Sequence, residues 1–135
     1  MPEKTILLVE DNPVDLLLLR MLLRHNPDYR VLEAPTVAEA MRQVQEAAEL
    51  HLVLLDVQLP DGNGVDLCRQ LKSAPATERI PVVLISAVEK DDDSISRGLD
   101  AGADGYLMKP IEGTALRAWL NATLRISALQ RDLDE

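Results

Sequence analysis

Short, mostly apolar segments alternate with amphipathic segments along the chain, and the apolar segments end abruptly in polar residues. Residues 5–9 form the first of them, and an apolar run of this length is typical of a strand buried on both faces. Asn12 and Pro13 then supply an N-cap and a first helical residue, which predicts a helix up to about His25. The same reasoning predicts strands at residues 5–9, 29–34, 51–55, 81–85 and 103–108.

Helices are predicted between these strands and after the last one. Thr36 and Glu39 have the spacing of a reciprocal capping box at the start of the second helix. Gly98 and Gly102 each weaken the fourth helix by roughly 1 kcal/mol relative to alanine if they lie inside it. Parallel strands need crossover connections, so this alternation predicts an α/β fold with a parallel sheet covered on both faces. The predicted helices cover residues 13–25, 36–50, 65–73, 91–101 and 114 onward.

Composition and charge exclude several classes of function, although they say little about the fold. The chain has 135 residues, 47% of them hydrophobic, which is enough for one globular domain. A net charge of -9 argues against nucleic acid or an anionic membrane as a direct partner. The single cysteine, Cys68, cannot form an internal disulfide, and neither a leader nor a membrane-spanning apolar stretch is present. We therefore expect a cytoplasmic protein.

Polar residues with complementary chemistry follow four of the predicted strands. Glu10 and Asp11 follow the first strand, Asp56 the third, Ser86 the fourth and Lys109 the fifth. In open parallel sheets, ligands bind at this carboxyl edge. Carboxylates about 4 Å apart repel by roughly 4 kcal/mol at an effective dielectric of about 20, so three of them would take up protons or bind a cation such as Mg²⁺. A lysine and a hydroxyl opposite the cation would make a receptacle for a phosphoryl group.

These residues also carry a family resemblance. The motifs Val9-Glu10-Asp11-Asn12, residues 54–62, Ile85-Ser86-Ala87 and residues 106–110 resemble the receiver domain of two-component response regulators, from about Lys4 to about Leu124. The resemblance implies a flavodoxin-like, doubly wound sheet of five parallel strands in the order 2-1-3-4-5. That order is a known property of the family and does not follow from the spacing of these motifs.

The resemblance also implies a role for each residue at the carboxyl edge. Asp56 would accept a phosphoryl group from a histidine kinase or a histidine phosphotransfer protein. Lys109 and Ser86 would each contact a phosphoryl oxygen, and no separate general base is needed. The domain would catalyse only its own phosphorylation and dephosphorylation, and it would signal to an unknown downstream protein or output domain. Mg²⁺ would be bound directly by Asp11 and Asp56, largely through water by Glu10, and through the backbone carbonyl of Gln58.

A switch is implied by the same resemblance. When the phosphoryl group draws Ser86 inward, Tyr106 would fill the space that opens and change the surface of the fourth helix, fifth strand and fifth helix. The Lys109–Pro110 peptide bond would be cis, an isomer that X-Pro bonds adopt at modest cost. Ser86 and Tyr106 are therefore the predicted switch residues.

The last helix raises a question about domain organisation. We assign residues 1–124 to the receiver domain and residues 125–135 to an extension of the last helix. Two heptads leave two alternatives open, a frayed end or a connector that dimerises, so a monomer or a weak dimer is expected. The positions spaced alternately by three and four residues are Trp119, Ala122, Ile126, Leu129 and Leu133.

The residues at the carboxyl edge disfavour other classes of function. A magnesium-dependent aspartyl phosphohydrolase would place a second acid two residues after its nucleophile, whereas this chain has Gln58 there. A phosphate-independent interaction module would have no need for all five of the residues Glu10, Asp11, Asp56, Ser86 and Lys109 together. A dinucleotide binder is disfavoured as well, because acids follow the first strand where a glycine turn is required.

Overall fold

The computed structural model describes residues 4–87 and 92–134, with side chains except those of residues 92–95, 127 and 130–134. The predicted start of the fourth helix at Asp91 and the side chain of Leu133 therefore lie outside the described residues. The five main strands are β1 (Lys4–Val9), β2 (Tyr29–Ala34), β3 (Leu52–Asp56), β4 (Val82–Ser86) and β5 (Gly105–Met108). The helices are α1 (Pro13–Arg24), α2 (Val37–Glu46), α3 (Gly64–Ser73), α4 (Asp92–Asp100) and α5 (Gly113–Asp134).

The five strands form one parallel sheet in the order β2-β1-β3-β4-β5, which confirms the fold expected from the sequence. Its register decides what meets at the carboxyl edge. Val9 is paired with Leu55, and Asp56 is paired with Ile85. Glu10 therefore leaves the sheet beside Asp56. A short antiparallel ribbon between β3 and α3, in which residues 58–59 pair with residues 62–63, was not predicted.

Both faces of the sheet are covered, because side chains of each strand alternate between two hydrophobic cores. In β1, Leu7 and Val9 belong to the core beneath α2, α3 and α4, whereas Ile6 and Leu8 belong to the core beneath α1 and α5. The continuous apolar character of the strands follows from this double burial.

The described helices agree with their predicted bounds to within a residue, except that α2 ends four residues early. α2 ends at Glu46, because Ala47 adopts an extended conformation with ψ of 134°, and buried Leu50 lies in the coil before β3. The prediction of helix up to Leu50 is therefore wrong. In α4, Gly98 lies inside the helix, where a Cβ atom would come within 2.7 Å of Leu84 Cδ1. Gly102 follows the helix with a φ of 97°, a conformation that glycine adopts without strain.

α5 has two parts with different surroundings. Leu116, Leu120 and Leu124 are buried, whereas Ile126 and Leu129 are 55% and 59% exposed. The first part packs on the sheet, and Trp119 fits against Gly105, where a Cβ atom would come within 2.6 Å of the indole ring. Among the helices described, none combines the length and the apolar character required to cross a membrane.

Candidate functional site

Three carboxylates meet at the carboxyl edge of the sheet. Glu10 follows β1 and Asp56 ends β3, and these residues are 1% and 3% exposed, whereas Asp11 faces solvent. Carboxylate oxygens of the three residues lie within 4.8 Å of one another. They line an open cleft of about 430 Å³ together with Gln58, Ala87 and Lys109. The structure thus brings together the acids that the sequence predicted to meet.

Backbone hydrogen bonds hold the two buried acids in place. The Asn12 amide donates to Glu10 Oε2 at 3.1 Å, and the Gln58 amide donates to Asp56 Oδ1 at 2.7 Å. Gly64 allows the ribbon to fold back on β3, because a Cβ atom there would overlap the Asp56 carbonyl oxygen. The Gly64 amide donates to the Val57 carbonyl at 2.7 Å. Both carboxylates are therefore oriented by the loops that follow their strands.

Lys109 reaches into the cleft and contacts three carboxylates. Its Nζ lies 2.7 Å from Asp56 Oδ2, 2.8 Å from Asp15 Oδ2 and 3.4 Å from Glu10 Oε1. The Lys109 amide donates to the Ser86 carbonyl at 2.7 Å, which ties the end of β5 to the end of β4. The peptide bond between Lys109 and Pro110 is cis, the isomer that the resemblance implies.

Burial and crowding change the acidity of these groups. Burial raises the pKa of Glu10 from its ordinary value of 4.5 to about 8, and the hydrogen bond and negative charge of Asp56 act in the same direction. Burial alone would lower the pKa of Lys109, but hydrogen bonds to Asp15 and Asp56 and the charges of Asp56 and Glu10 outweigh it and raise this pKa. The lysine is therefore charged at neutral pH, while ionisation of Glu10 is disfavoured there unless a further positive charge compensates it.

The donor set fits a hard divalent cation. Oε1 of Glu10 is buried without a hydrogen-bond donor among the described residues, because Lys109 Nζ at 3.4 Å makes an ion pair without hydrogen-bond geometry. An unsatisfied buried oxygen beside further carboxylates is costly unless a proton or a cation compensates it. Mg²⁺ takes oxygen ligands and retains several waters, which suits an open cleft.

Three further residues were predicted for the site, and they lie at different places relative to the carboxylates. Ser86 is partly exposed, and its hydroxyl donates to the Ala87 carbonyl at 3.3 Å. The Gln58 side chain is exposed at the start of the ribbon. Tyr106 is half-buried in the core beneath α4, and its ring lies 3.4 Å from the position that a Cβ atom of Gly98 would occupy. Tyr106 is therefore separated from the cleft and packed against α4.

Sequence reasoning missed two acids. Asp15 lies in the first turn of α1, where an acid favours the positive helix start, but its carboxylate also contacts Lys109 across the cleft. Asp61 received no role, although its carboxylate accepts hydrogen bonds from the Val37 and Ala38 amides. That contact spans 24 residues of sequence and carries no local signal.

Comparison with known proteins gives a consistent result. Residues 6–121 match the family described as the response regulator receiver domain. Phosphate regulon transcriptional regulatory protein PhoB of Rhizobium meliloti is 37% identical over 123 residues, which cover 89% of this chain and 52% of that protein. The gliding motility regulatory protein of Myxococcus xanthus is 42% identical over 104 residues, which cover 77% of this chain and 13% of that protein. The chain thus spans about half the length of the first relative and less of the second.

Solved structures share the fold. A two-component response regulator from Clostridium difficile superposes with a TM-score of 0.80 at 27% identity, covering 90% of this chain and 96% of that chain. The receiver domain of sensor histidine kinase PA1611 from Pseudomonas aeruginosa gives a TM-score of 0.79 at 29% identity, covering 90% and 97%, and holds a magnesium ion in its active site cleft. The acidic carboxyl edge, the sheet order and the matched span lead to one conclusion: this chain belongs to the response regulator receiver domain family.

Proposed function

We propose that Asp56 accepts a phosphoryl group from a histidine kinase or a histidine phosphotransfer protein, and that this modification switches the domain between two surfaces. One observation carries the proposal. The Asp56 carboxylate lies at the base of an acidic cleft with the Lys109 ammonium 2.7 Å away. Receiver domains are signalling switches, and a nucleophile beside a fixed positive charge suits phosphoryl transfer, which depends on positioning and charge neutralisation.

The chemistry follows from the charges in the cleft. A carboxylate oxygen of Asp56 forms a bond to phosphorus while the bond from phosphorus to the donor imidazole nitrogen breaks. The imidazole keeps that electron pair and takes up a proton. Lys109 then moves from the Asp56 oxygen to a phosphoryl oxygen, and the Ser86 hydroxyl donates a hydrogen bond to another. We propose that the domain catalyses only this phosphorylation of itself and its own dephosphorylation, in which water hydrolyses the acyl phosphate and inorganic phosphate is released.

Four oxygen donors would hold Mg²⁺ beside the nucleophile. These are the carboxylates of Glu10, Asp11 and Asp56 and the backbone carbonyl of Gln58, of which the three carboxylates already converge. When bound, the cation supplies positive charge to the phosphoryl oxygens during transfer. Glu10 would contribute to the site largely through a bound water, while Asp11 faces the open side of the cleft.

The conformational change would be transmitted from Ser86 to Tyr106. The Lys109 amide already joins β5 to β4 at Ser86, so a movement of one strand end displaces the other. The Tyr106 ring packs beside Gly98, where α4 approaches the sheet closely. A phosphoryl group that pulls Ser86 inward would let Tyr106 rotate and change the surface of α4, β5 and α5. The shift is limited to the difference in phosphoryl affinity between the two surfaces.

The donor protein must approach over the start of α1. Asn12 and Pro13 line the cleft, and an apolar stripe continues from them along the helix. In that stripe Val14, Leu17 and Met21 are 74%, 52% and 58% exposed. Exposed apolar residues at helical spacing suit a helix of a partner protein. The stripe therefore supports a protein as the phosphoryl donor.

The rest of the proposal concerns what surrounds the domain. We place the end of the receiver domain at Leu124, because burial of α5 ends there and Ile126 is exposed. The remaining turns of α5 extend from the domain. The curated relatives are longer than this chain, which supports signalling to a further domain or a separate protein. A cytoplasmic location fits a domain phosphorylated by such kinases.

Mass spectrometry after incubation with acetyl phosphate and magnesium chloride tests the function. The wild type should gain the mass of one phosphoryl group, and Asp56→Asn should gain none. Asp104→Asn is the matched control, because Asp104 also lies 2.7 Å from a lysine Nζ but at the opposite edge of the sheet, and it should be modified like the wild type. An unmodified wild type that also fails to bind beryllofluoride would refute the assignment.

A further inference from the structure

Asp61 links the ribbon after β3 to the start of α2. Its Oδ1 accepts a hydrogen bond from the Val37 amide at 2.7 Å, and its Oδ2 accepts one from the Ala38 amide at 3.0 Å. The Thr36 hydroxyl oxygen accepts a hydrogen bond from the Glu39 amide at 3.0 Å. No helical carbonyl can accept hydrogen bonds from the first three amides of α2. Two of them therefore donate to the distant Asp61 carboxylate, and the third donates to the local cap residue Thr36.

The same ribbon holds the nucleophile. Asp61 lies in its turn, three residues after Gln58, and the Gln58 amide donates to Asp56 Oδ1 at 2.7 Å. Gly62 adds a second contact with α2, because a Cβ atom there would lie 3.1 Å from Val37 Cγ2. An unbroken path of short contacts thus runs from α2 through the ribbon to the Asp56 carboxylate.

The ribbon needs such an anchor. Only two residues pair on each side, and an isolated hairpin of this size is not stable in water. The Asp61 carboxylate meets two amides at the positive end of α2, which favours its ionised form and holds the pKa of Asp61 below its ordinary value. Two bonds from one carboxylate fix both the distance and the orientation of the turn relative to the helix.

We propose that Asp61 is a positioning residue for the cation site: by capping α2 it fixes the ribbon that orients Asp56 through the Gln58 amide and presents the Gln58 carbonyl. This inference rests on the proposed function, because it assumes that the Gln58 carbonyl is a metal ligand. It assigns to Asp61, an exposed loop acid, a role that reaches the cleft through the backbone of the two residues between it and Gln58.

A pair of variants separates positioning from helix capping. Thr36→Ala and Asp61→Ala each remove one cap from the same helix, so each should lower the melting temperature by roughly 4 °C. Magnesium titration followed by the backbone amide signals of Asp56 and Gln58 should show about tenfold weaker binding in Asp61→Ala. Thr36→Ala should stay within about twofold of the wild type. Asp61→Asn, which keeps one of the two acceptor oxygens, should recover part of the affinity.

Hydrogen exchange without metal gives an independent readout. In Asp61→Ala, the amides of Val37, Ala38 and Gln58 should all exchange faster, whereas in Thr36→Ala the Gln58 amide should remain as protected as in the wild type. Unchanged Gln58 exchange in Asp61→Ala, or equal loss of magnesium affinity in the two alanine variants, would overturn the inference. A wild type that shows no magnesium response would instead refute the proposed function, while the exchange result would still decide whether Asp61 holds the ribbon.

Discussion

Two lysines at opposite edges of the sheet make ion pairs of the same length with very different surroundings. Lys109 lies 2.7 Å from Asp56 at the carboxyl edge, and Lys72 lies 2.7 Å from Asp104 at the amino edge. Lys72 also donates to the carbonyls of Ile80 at 2.8 Å and Glu78 at 3.3 Å. Its three donors thus meet one charged and two neutral acceptors, and Asp104 also accepts the Val82 amide.

Lys109, in contrast, contacts only carboxylates among the groups described. It contacts Asp56, Asp15 and Glu10, so one positive charge faces three acids, and Glu10 Oε1 lacks a hydrogen bond. Native proteins satisfy most buried polar atoms, so an unsatisfied one calls for an explanation. The comparison teaches that a balanced ion pair holds a fold together, while an unbalanced one of the same length indicates a site for a missing charge.

The largest effect should come from the Glu10 proton. The pKa of Glu10 is about 8 in the folded chain against an ordinary 4.5, so between these values the folded state binds a proton that the unfolded state has lost. The free energy of unfolding of the metal-free protein should therefore fall as pH rises from 4.5 to 8, by roughly 4 kcal/mol. Urea unfolding across this range measures it.

Glu10→Gln is the matched control for that measurement, because it keeps the side-chain shape without the titrating proton. This variant should show a much flatter pH dependence and should be the more stable protein at pH 8. Magnesium chloride should restore stability to the wild type only. Parallel curves for the two proteins would mean that Glu10 does not carry the excess charge.

An effect of intermediate size should distinguish the two lysines. Lys72→Met removes the donor to the Ile80 and Glu78 carbonyls and the cation beside Asp104, which keeps its hydrogen bond from the Val82 amide. It should lower the free energy of unfolding by about 2 kcal/mol without changing beryllofluoride affinity. Lys109→Met should weaken beryllofluoride binding by about 100-fold, because it removes a hydrogen bond between charged groups, and a loss of about 3 kcal/mol corresponds to that factor. It should also abolish the change in Trp119 fluorescence that we expect when phosphorylation alters the surface of α4, β5 and α5. Equal affinities in the two variants would contradict the division into structural and functional pairs.

The smallest effect concerns Asp15, which competes for Lys109. Asp15→Asn removes one of the three carboxylates that hold the ammonium, so the lysine moves to a phosphoryl oxygen at lower cost. We expect beryllofluoride to bind about fivefold more tightly at saturating magnesium, equivalent to about 1 kcal/mol. Asp104→Asn should leave that affinity unchanged. Weaker binding in Asp15→Asn would show that Asp15 orients Lys109 for transfer.

The sequence was sufficient for the fold and for the set of residues at the carboxyl edge. Double burial makes each strand a continuous apolar run, and parallel pairing places the residues that follow those runs at one edge of the sheet. The sequence pattern therefore predicts that Glu10 and Asp56 lie close together. The resemblance supplied the strand order, and the structure has it.

Contacts between loops could not be predicted in the same way. The end of α2 depends on the extended conformation of Ala47, although apolar spacing continues to Leu50. The contact of Asp61 with α2 depends on the path of the ribbon. The contact of Asp15 with Lys109 depends on the direction of a long side chain across the cleft. These features depend on tertiary contacts between distant segments, which override local spacing and helix propensity.

The unbroken course of α5 has a mechanical consequence. Residues 125–134 continue the helix beyond its packed part, and at 1.5 Å per residue they make a lever arm of about 15 Å. If the packed half tilts by about 10° when Tyr106 moves, the far end is displaced by about 3 Å. A rotation too small to disturb the core would thus be amplified into a displacement that an attached domain can detect.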